Sequence, residues 1–271
     1  MWKDNSRCAV GLSFDFDAES LWMGRYKRDY PAVLARGEYG ARAGLPRILK
    51  ILKRQEVKAT FFVPGYTAEK YPQLIQQIDG DGHEIGHHGY KHENPGKVSL
   101  DEEKEIIRKG IDHLKEVTGY APVGYRLPSG VHSPHTLNLL LEHGFQYESS
   151  MVADDLPYML KVEDSGKQIL EIPFSWELDD SPHFMFSHSP YRTGMSSPSK
   201  VYEIWAAEFD VCYQEGGYYG LTCHPQIIGR RHRAQMLERL IAYIKSFPDV
   251  WIARHIDIAK HLLETKFIDQ V

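Results

Sequence analysis

Apolar runs and amphipathic stripes alternate along this chain, and the alternation reads as strand then helix, repeated. Residues 9–14 (Ala-Val-Gly-Leu-Ser-Phe) are almost continuously apolar, the pattern of a strand buried on both faces. Residues 46–54 place Ile48, Leu49, Ile51 and Leu52 at helical spacing. Residues 59–63 read as a strand closed by Pro64-Gly65. Ser99 and Glu102 form a capping box, and Ile106, Ile107, Ile111, Leu114 and Val117 then keep the helical period until Gly119 stops it. Ser133-Pro134 opens a further predicted helix, with Leu137, Leu140 and Leu141 inward and Gly144 as terminator. Strands are predicted over 168–174, 218–223 and 250–253, and helices over 201–213, around Leu237, Leu240, Ile241 and Ile244, and at the C-terminal end.

Repeated β-then-α order predicts an α/β fold with a mainly parallel sheet and helical crossovers. The chain has 271 residues and no Pro/Gly/Ser-rich linker, so one domain over 1–271 is expected, with a barrel as the economical closure. In such barrels chemistry gathers at the C-terminal ends of the strands. Polar clusters follow the predicted strands here.

Composition narrows the classes. Charged residues make up 25% and the formal net charge is -5, which leaves no basic footprint for nucleic acid. No run approaches the ~18 apolar residues a membrane span needs. The three cysteines, Cys8, Cys212 and Cys223, form no disulfide-scaffold or CxxC spacing and fit a reducing compartment. The N-terminal stretch lacks the apolar core of a signal peptide, so a cytoplasmic protein is expected.

Five segments carry candidate chemistry. Asp15 and Asp17 stand two apart at a strand end, where side chains of equal parity share a face. Two such carboxylates repel unless a cation intervenes. His83, His87, His88 and His92 fall within ten positions. His88 and His92 have the i,i+4 spacing that stacks two imidazoles on a helical turn, but His83 and His87 share it, so spacing leaves the choice of pair open. Two histidines and one carboxylate leave a coordination position for water, as in catalytic zinc sites. Arg126, in Tyr-Arg-Leu-Pro-Ser-Gly, offers a planar fork to a carboxylate. His224 ends a strand and is pinned by Pro225, which suits a general acid; neighbouring Cys223 should face the other way, into the core. Trp176, Glu177, Asp179 and Asp180 supply an aromatic and acids that would shape a pocket.

The order of these segments resembles the polysaccharide deacetylase family (the NodB-homology domain) over nearly the whole chain. That family shows an Asp pair, an H-x3-H pair, R-x-P, a Trp-containing segment and a strand ending in His. The stretch Gly-His-Glu-Ile-Gly followed by His-Gly-Tyr-Lys-His-Glu-Asn-Pro matches specifically and selects His88/His92. The resemblance implies a distorted (β/α) barrel with fewer than eight regular strands. It implies Asp17, His88 and His92 as ligands of a divalent metal, with zinc expected. Asp15 would be the general base, oriented by Arg126. His224 would be the general acid, tuned by Asp179 or Asp180. The backbone N–H of Ser129 would face the oxyanion. Two departures, Phe16 between the aspartates and Ile172 where the family's D-x-x-x-W motif has Asp, look like the intracellular branch. That branch includes peptidoglycan-deacetylase-like proteins, cyclic imide hydrolases and an allantoinase type. The expected activity is therefore hydrolysis of a non-peptide C–N bond in a small cytosolic amide or cyclic imide. The alternative is deacetylation of N-acetylglucosamine in peptidoglycan or chitin-like chains. The branch also implies a homo-oligomer, with a tetramer expected, and Ser181 to Tyr191 as a lid or an interface.

Overall fold

The computed structural model describes residues 2–163, 165–188 and 191–265. Its strands are β1 (Cys8–Asp15), β2 (Thr60–Val63), β3 (Glu84–His87), β4 (Gly124–Tyr125), β5 (Tyr147–Glu148), β6 (Tyr158–Val162), β7 (Lys167–Glu171), β8 (Phe186–His188), β9 (Tyr191–Thr193), β10 (Tyr218–Cys223) and β11 (Val250–Ala253). The main sheet runs β10-β1-β2-β3-β4-β5-β7-β6, and β11 pairs with the N-terminal half of β1. Every pairing in it is parallel except β6 with β7. A lone parallel bridge from Asp179 to Thr222 ties the segment after β7 back to β10 and curls the sheet towards closure. This is the distorted, mainly parallel barrel that the sequence predicts.

Parallel β pairs need crossovers. Here they are helices, including Leu45–Gln55, Leu100–Thr118, Pro198–Glu215 and Arg231–Lys245. The capping box forms as predicted: Ser99 Oγ accepts from Glu102 N and the Glu102 carboxylate accepts from Ser99 N. Gly119 ends that helix at φ 85°. Apolar helix faces cover the outside of the sheet, with Ile48, Leu52, Trp205, Phe209, Leu237 and Ile241 fully buried. Inside the barrel, glycines stand opposite aromatics. A Cβ on Gly86 would lie 2.5 Å from the Phe62 ring, and one on Gly124 would lie 2.1 Å from Tyr147. Small residues there let Phe62 and Tyr147 fill the barrel and form a floor beneath the C-terminal strand ends.

Several boundaries differ from the sequence reading. The helix expected from Ser133-Pro134 starts at Thr136, because Ser133 Oγ accepts from the His135 and Thr136 amides in a turn that precedes it. A two-residue strand not predicted above forms at Gly124–Tyr125, just after Pro122, which has no N–H for a ladder. The strand expected over 168–174 ends at Glu171. Within the segment expected to be a lid or interface, Ser189 and Pro190 lie outside the described residues.

Candidate active site

The C-terminal ends of β1, β3, β4, β5 and β10 deliver their polar residues to one cleft, as parallel strands in register must. Asp15 ends β1. Asp17 lies just beyond, in the following turn rather than on the strand itself. Phe16 between them is fully buried in the core, its ring 6.3 Å from that of Tyr71. The inserted aromatic thus anchors the strand end while Asp15 lines the cleft and Asp17 lies buried beside it.

His88 follows β3. The stretch to His92 is an irregular turn and not the helical turn that the i,i+4 spacing suggests: Gly89 and His92 have φ of 70° and 59°. The turn still brings the two imidazoles together, ring centroids 4.9 Å apart. His88 Nδ1 lies 2.8 Å from the carbonyl oxygen of Arg126, so Nδ1 carries the proton and Nε2 is left with a free lone pair. That Nε2 is 3.5 Å from Asp17 Oδ1, and His92 Nε2 is 3.8 Å from the same oxygen. The competing pair is committed elsewhere. His83 Nδ1 accepts from Ala59 N, while His87 Nδ1 accepts from Gly89 N and its Nε2–H donates to Ile107 O.

Asp17 Oδ1 and His88 Nε2 are buried and have no hydrogen-bond partner among the described residues. Burial, opposed by His224 and reinforced by the charge of Asp15, pushes the Asp17 carboxyl up to about 8. Burial lowers the pKa of both His88 and His92, which keeps these imidazoles neutral. Neutral imidazoles with Nε2 atoms turned towards a buried carboxyl are the donor set of a divalent transition metal. The residues fit an ion, with zinc matching the N2O chemistry. Gln226 Nε2 donates to Asp17 Oδ2 at 3.1 Å, and Thr67 Oγ1 and Ser20 Oγ donate to the Asp17 carbonyl oxygen, so Asp17 is held from several sides.

Arg126 follows β4 and lies 4.3 Å over the Phe62 ring. Its Nη1 donates to Asp15 Oδ1 at 3.0 Å and Ser13 Oγ at 2.7 Å; Nε and Nη2 donate to the Ser149 carbonyl and hydroxyl. One bond of this fork fixes a carboxylate oxygen, and the others tie the guanidinium to Ser13 and Ser149. The other carboxylate oxygen, Asp15 Oδ2, lies 3.8 Å from His88 Nε2 and 3.9 Å from His224 Nε2. Burial pushes Asp15 up, but the charge and hydrogen bond of Arg126 and the charge of His224 outweigh it and hold the group below its ordinary 3.8.

His224 N-caps the short helix Pro225–Ile228 after β10. Its Nδ1 meets Asp180 Oδ1 at 2.6 Å, and its backbone N–H donates to Asp180 Oδ2 at 2.9 Å. Asp179 plays another part: it caps the helix Asp180–Phe184 by accepting from Ser181 N, and stays 4.0 Å from His224. Burial would lower the His224 pKa, yet Asp180 and Asp179 raise it well above 6.5. Cys223 is fully buried and points away, as strand alternation predicts.

The cleft holds a cavity of about 70 Å3 and is walled by Leu127, Ser129, Phe174 and Trp176, whose indole is half exposed. Ser13, Ser149, Gln226 and Arg25 belong to this neighbourhood and were not among the residues singled out in the sequence. Ser13 had a signal, its equal parity with Asp15 on β1; Gln226 had none.

Comparisons with known proteins agree with this geometry. A polysaccharide deacetylase family model matches residues 29–148, the part that holds His88, His92 and Arg126. A peptidoglycan deacetylase of Helicobacter pylori is 34% identical over 270 aligned positions, covering 90% of this chain and 92% of that protein. A crystal structure from Mycobacterium smegmatis, described provisionally as a polysaccharide deacetylase, superposes with a TM-score of 0.92 at 41% identity, covering 98% and 93% of the two chains. The crystal structure of PuuE allantoinase superposes at 0.85 with 28% identity, covering 97% and 93%. With relatives matched across nearly their whole lengths, the chain belongs to the polysaccharide deacetylase family of amide-bond hydrolases.

Proposed function

We propose that this protein is a metal-dependent hydrolase of a small amide or cyclic imide from the cytosol, with Asp17, His88 and His92 holding a zinc ion. The observation that carries the metal reading is the pair of orphaned buried atoms, Asp17 Oδ1 and His88 Nε2, 3.5 Å apart with His92 Nε2 beside them. When bound, the ion would supply Lewis-acid charge that polarises a carbonyl and acidifies water.

The chain's own residues do the rest. Asp15 is kept ionised by Arg126, which leaves Oδ2 free to take the proton of the attacking water. His224 is kept protonated by Asp180; Nδ1–H is spent on that carboxylate, so Nε2–H is the proton available to the departing nitrogen. The backbone N–H of Ser129, at the cleft wall, is the proposed donor to the developing oxyanion. The small cleft walled by Phe174 and Trp176 supports a compact substrate.

A second reading is deacetylation of an N-acetylated sugar. It is favoured by the Helicobacter pylori relative, a peptidoglycan deacetylase matched over 90% of this chain. The deciding experiment is hydrolysis of a matched panel by zinc-loaded and chelator-treated protein: succinimide- and hydantoin-type rings, small acetamides and N-acetylglucosamine oligomers. Chelator-sensitive cleavage of the rings or small amides is expected. Acetate release from the oligomers alone would overturn the substrate choice in favour of the second reading.

A further inference from the structure

Gln226, which supports Asp17, also lines a second cavity of about 130 Å3 that shares no lining residue with the catalytic cleft. Three guanidinium groups line it, those of Arg36, Arg230 and Arg233. They come from separate places in the chain: the helix Pro31–Tyr39, the residue that precedes the helix Arg231–Lys245, and that helix's first turn.

Each guanidinium is held by an aromatic face. Arg36 lies 4.5 Å over Trp22, Arg230 lies 3.6 Å over Tyr39, and Arg233 lies 4.6 Å over Phe184. Arg36 also donates to the Phe186 carbonyl oxygen, and Arg233 Nη1 donates to that of Ile227. The planes are therefore fixed in advance. Among the described residues no carboxylate forms an ion pair with any of the three. Arg233 Nε is buried with no hydrogen-bond partner among the described residues. The helix opening at Arg231 has no acidic residue in its first turn and no side-chain cap, so its partial positive charge adds to the same field.

Three like charges gathered at one cavity repel one another, and the half-buried Arg36 and Arg233 also lose solvation. Burial and the charge of Arg230 accordingly lower the pKa of Arg36, and burial lowers that of Arg233 although the more distant charge of Asp180 opposes it. An anion would reverse both penalties. Planar forks match the oxygen spacing of carboxylates and phosphates, and a buried free Nε awaits an acceptor. We infer that this cavity is an oxyanion-binding site, which takes a small molecule bearing a phosphate or carboxylate group on Arg36, Arg230 and Arg233.

The test is thermal unfolding and calorimetric titration of the full chain with inorganic phosphate and, separately, succinate, each against chloride at matched ionic strength. A saturable rise in Tm with one or both oxyanions, absent with chloride, is expected; the anion that saturates at lower concentration identifies the chemistry. Arg36→Gln and Arg233→Gln should each weaken binding ~10-fold or more, the worth of a lost charge-assisted contact. Arg36→Lys keeps the charge, loses the fork and should weaken binding too. Circular dichroism matching the unaltered protein verifies that each variant folds. Absence of a saturable shift would overturn the inference. So would an equal shift in the variants, because phosphate would then be held at the metal site. A phosphate-insensitive protein whose mass in sedimentation falls on Arg36→Gln would also overturn it, since the arginines would then be pairing with a second copy.

Discussion

Asp15 and Asp17 stand two positions apart, yet their surroundings drive them in opposite directions. Arg126 holds Asp15 ionised, whereas burial leaves Asp17 with a proton unless a cation replaces it. That contrast divides base from ligand. Asp15→Asn should lower kcat by roughly 10²–10⁴, the usual worth of acid–base assistance, while zinc content stays at the level of the unaltered protein. Near-normal turnover with metal still bound would remove Asp15 from the base role. The pH dependence follows from the same shifts. The base works when deprotonated, so activity should fall on the acid side only below the ordinary Asp value. The acid works when protonated, so activity should fall on the alkaline side above the ordinary His value of 6.5. Asp180 contributes the largest upward push on His224, so Asp180→Asn should move the alkaline limb of kcat/KM to lower pH. An unmoved limb would exclude His224 as the titrating acid. The residues that these predictions use were legible because aspartate and histidine are rare in apolar surroundings and recur here at strand ends. Gln226 was not, because an amide two residues after His224 carries no sign that it reaches back to Asp17. Spacing alone also failed to separate His88/His92 from His83/His87; the hydrogen bonds to Ala59, Gly89 and Ile107 do so.

At the scale of elements, segments with a clear apolar pattern were read well and two-residue strands were not. β10 and β11 fall where the sequence predicts, and the helix Leu100–Thr118 carries both of its signals. β4 and β5 have two residues each, too few for any period. Residues 18–44 show no clean pattern because close backbone contact, not an apolar stripe, fixes them: a Cβ on Gly24 would lie 1.6 Å from the Lys91 carbonyl oxygen. Close approach also decides a helical glycine. In Leu100–Thr118, a Cβ on Gly110 would lie 2.1 Å from His87 Nε2 and 2.9 Å from the Gly89 carbonyl oxygen. Alanine gains about 1 kcal/mol of helix propensity over glycine, but overpacking costs about 1–3 kcal/mol. His87 and Gly89 flank His88, so neither yields without moving a proposed metal ligand. Gly110→Ala should therefore lower Tm and weaken zinc affinity together. Gly80, at the end of the helix Pro72–Gly80, has nothing within 4 Å of its hypothetical Cβ. Gly80→Ala should raise Tm slightly or leave it unchanged. Equal behaviour of the two variants in unfolding and zinc titration would rule out packing against His87 as the cause.

For the whole molecule, barrel closure and the metal site are one problem. The strand ends that close the barrel are those that bring Asp17, His88 and His92 together, so without a cation a buried carboxyl keeps its proton at the point where the sheet curls. The sequence predicts the closure but not its internal packing, since the pairing of Gly86 with Phe62 and Gly124 with Tyr147 depends on register. Linkage gives the sign of the stability effect. Without metal, the folded Asp17 carboxyl titrates near 8 against an ordinary 3.8, so the folded state binds more protons than the unfolded one between those values. Its contribution to the stability of the metal-free protein is fully present below about 3.8, declines as pH rises and is lost by about 8. Zinc displaces that proton, so metal binding strengthens with pH over the same window. The rise in Tm produced by zinc over chelator-treated protein should therefore be small near pH 5 and grow up to about pH 8, where it levels off. Calorimetry at constant ionic strength should also register proton release on zinc binding at neutral pH, larger than in Asp17→Asn. A zinc-induced Tm shift that is flat from pH 5 to 8, or equal proton release in that variant, would mean that Asp17 is not the carboxylate ligand and that the pocket stabilises its charge by other means.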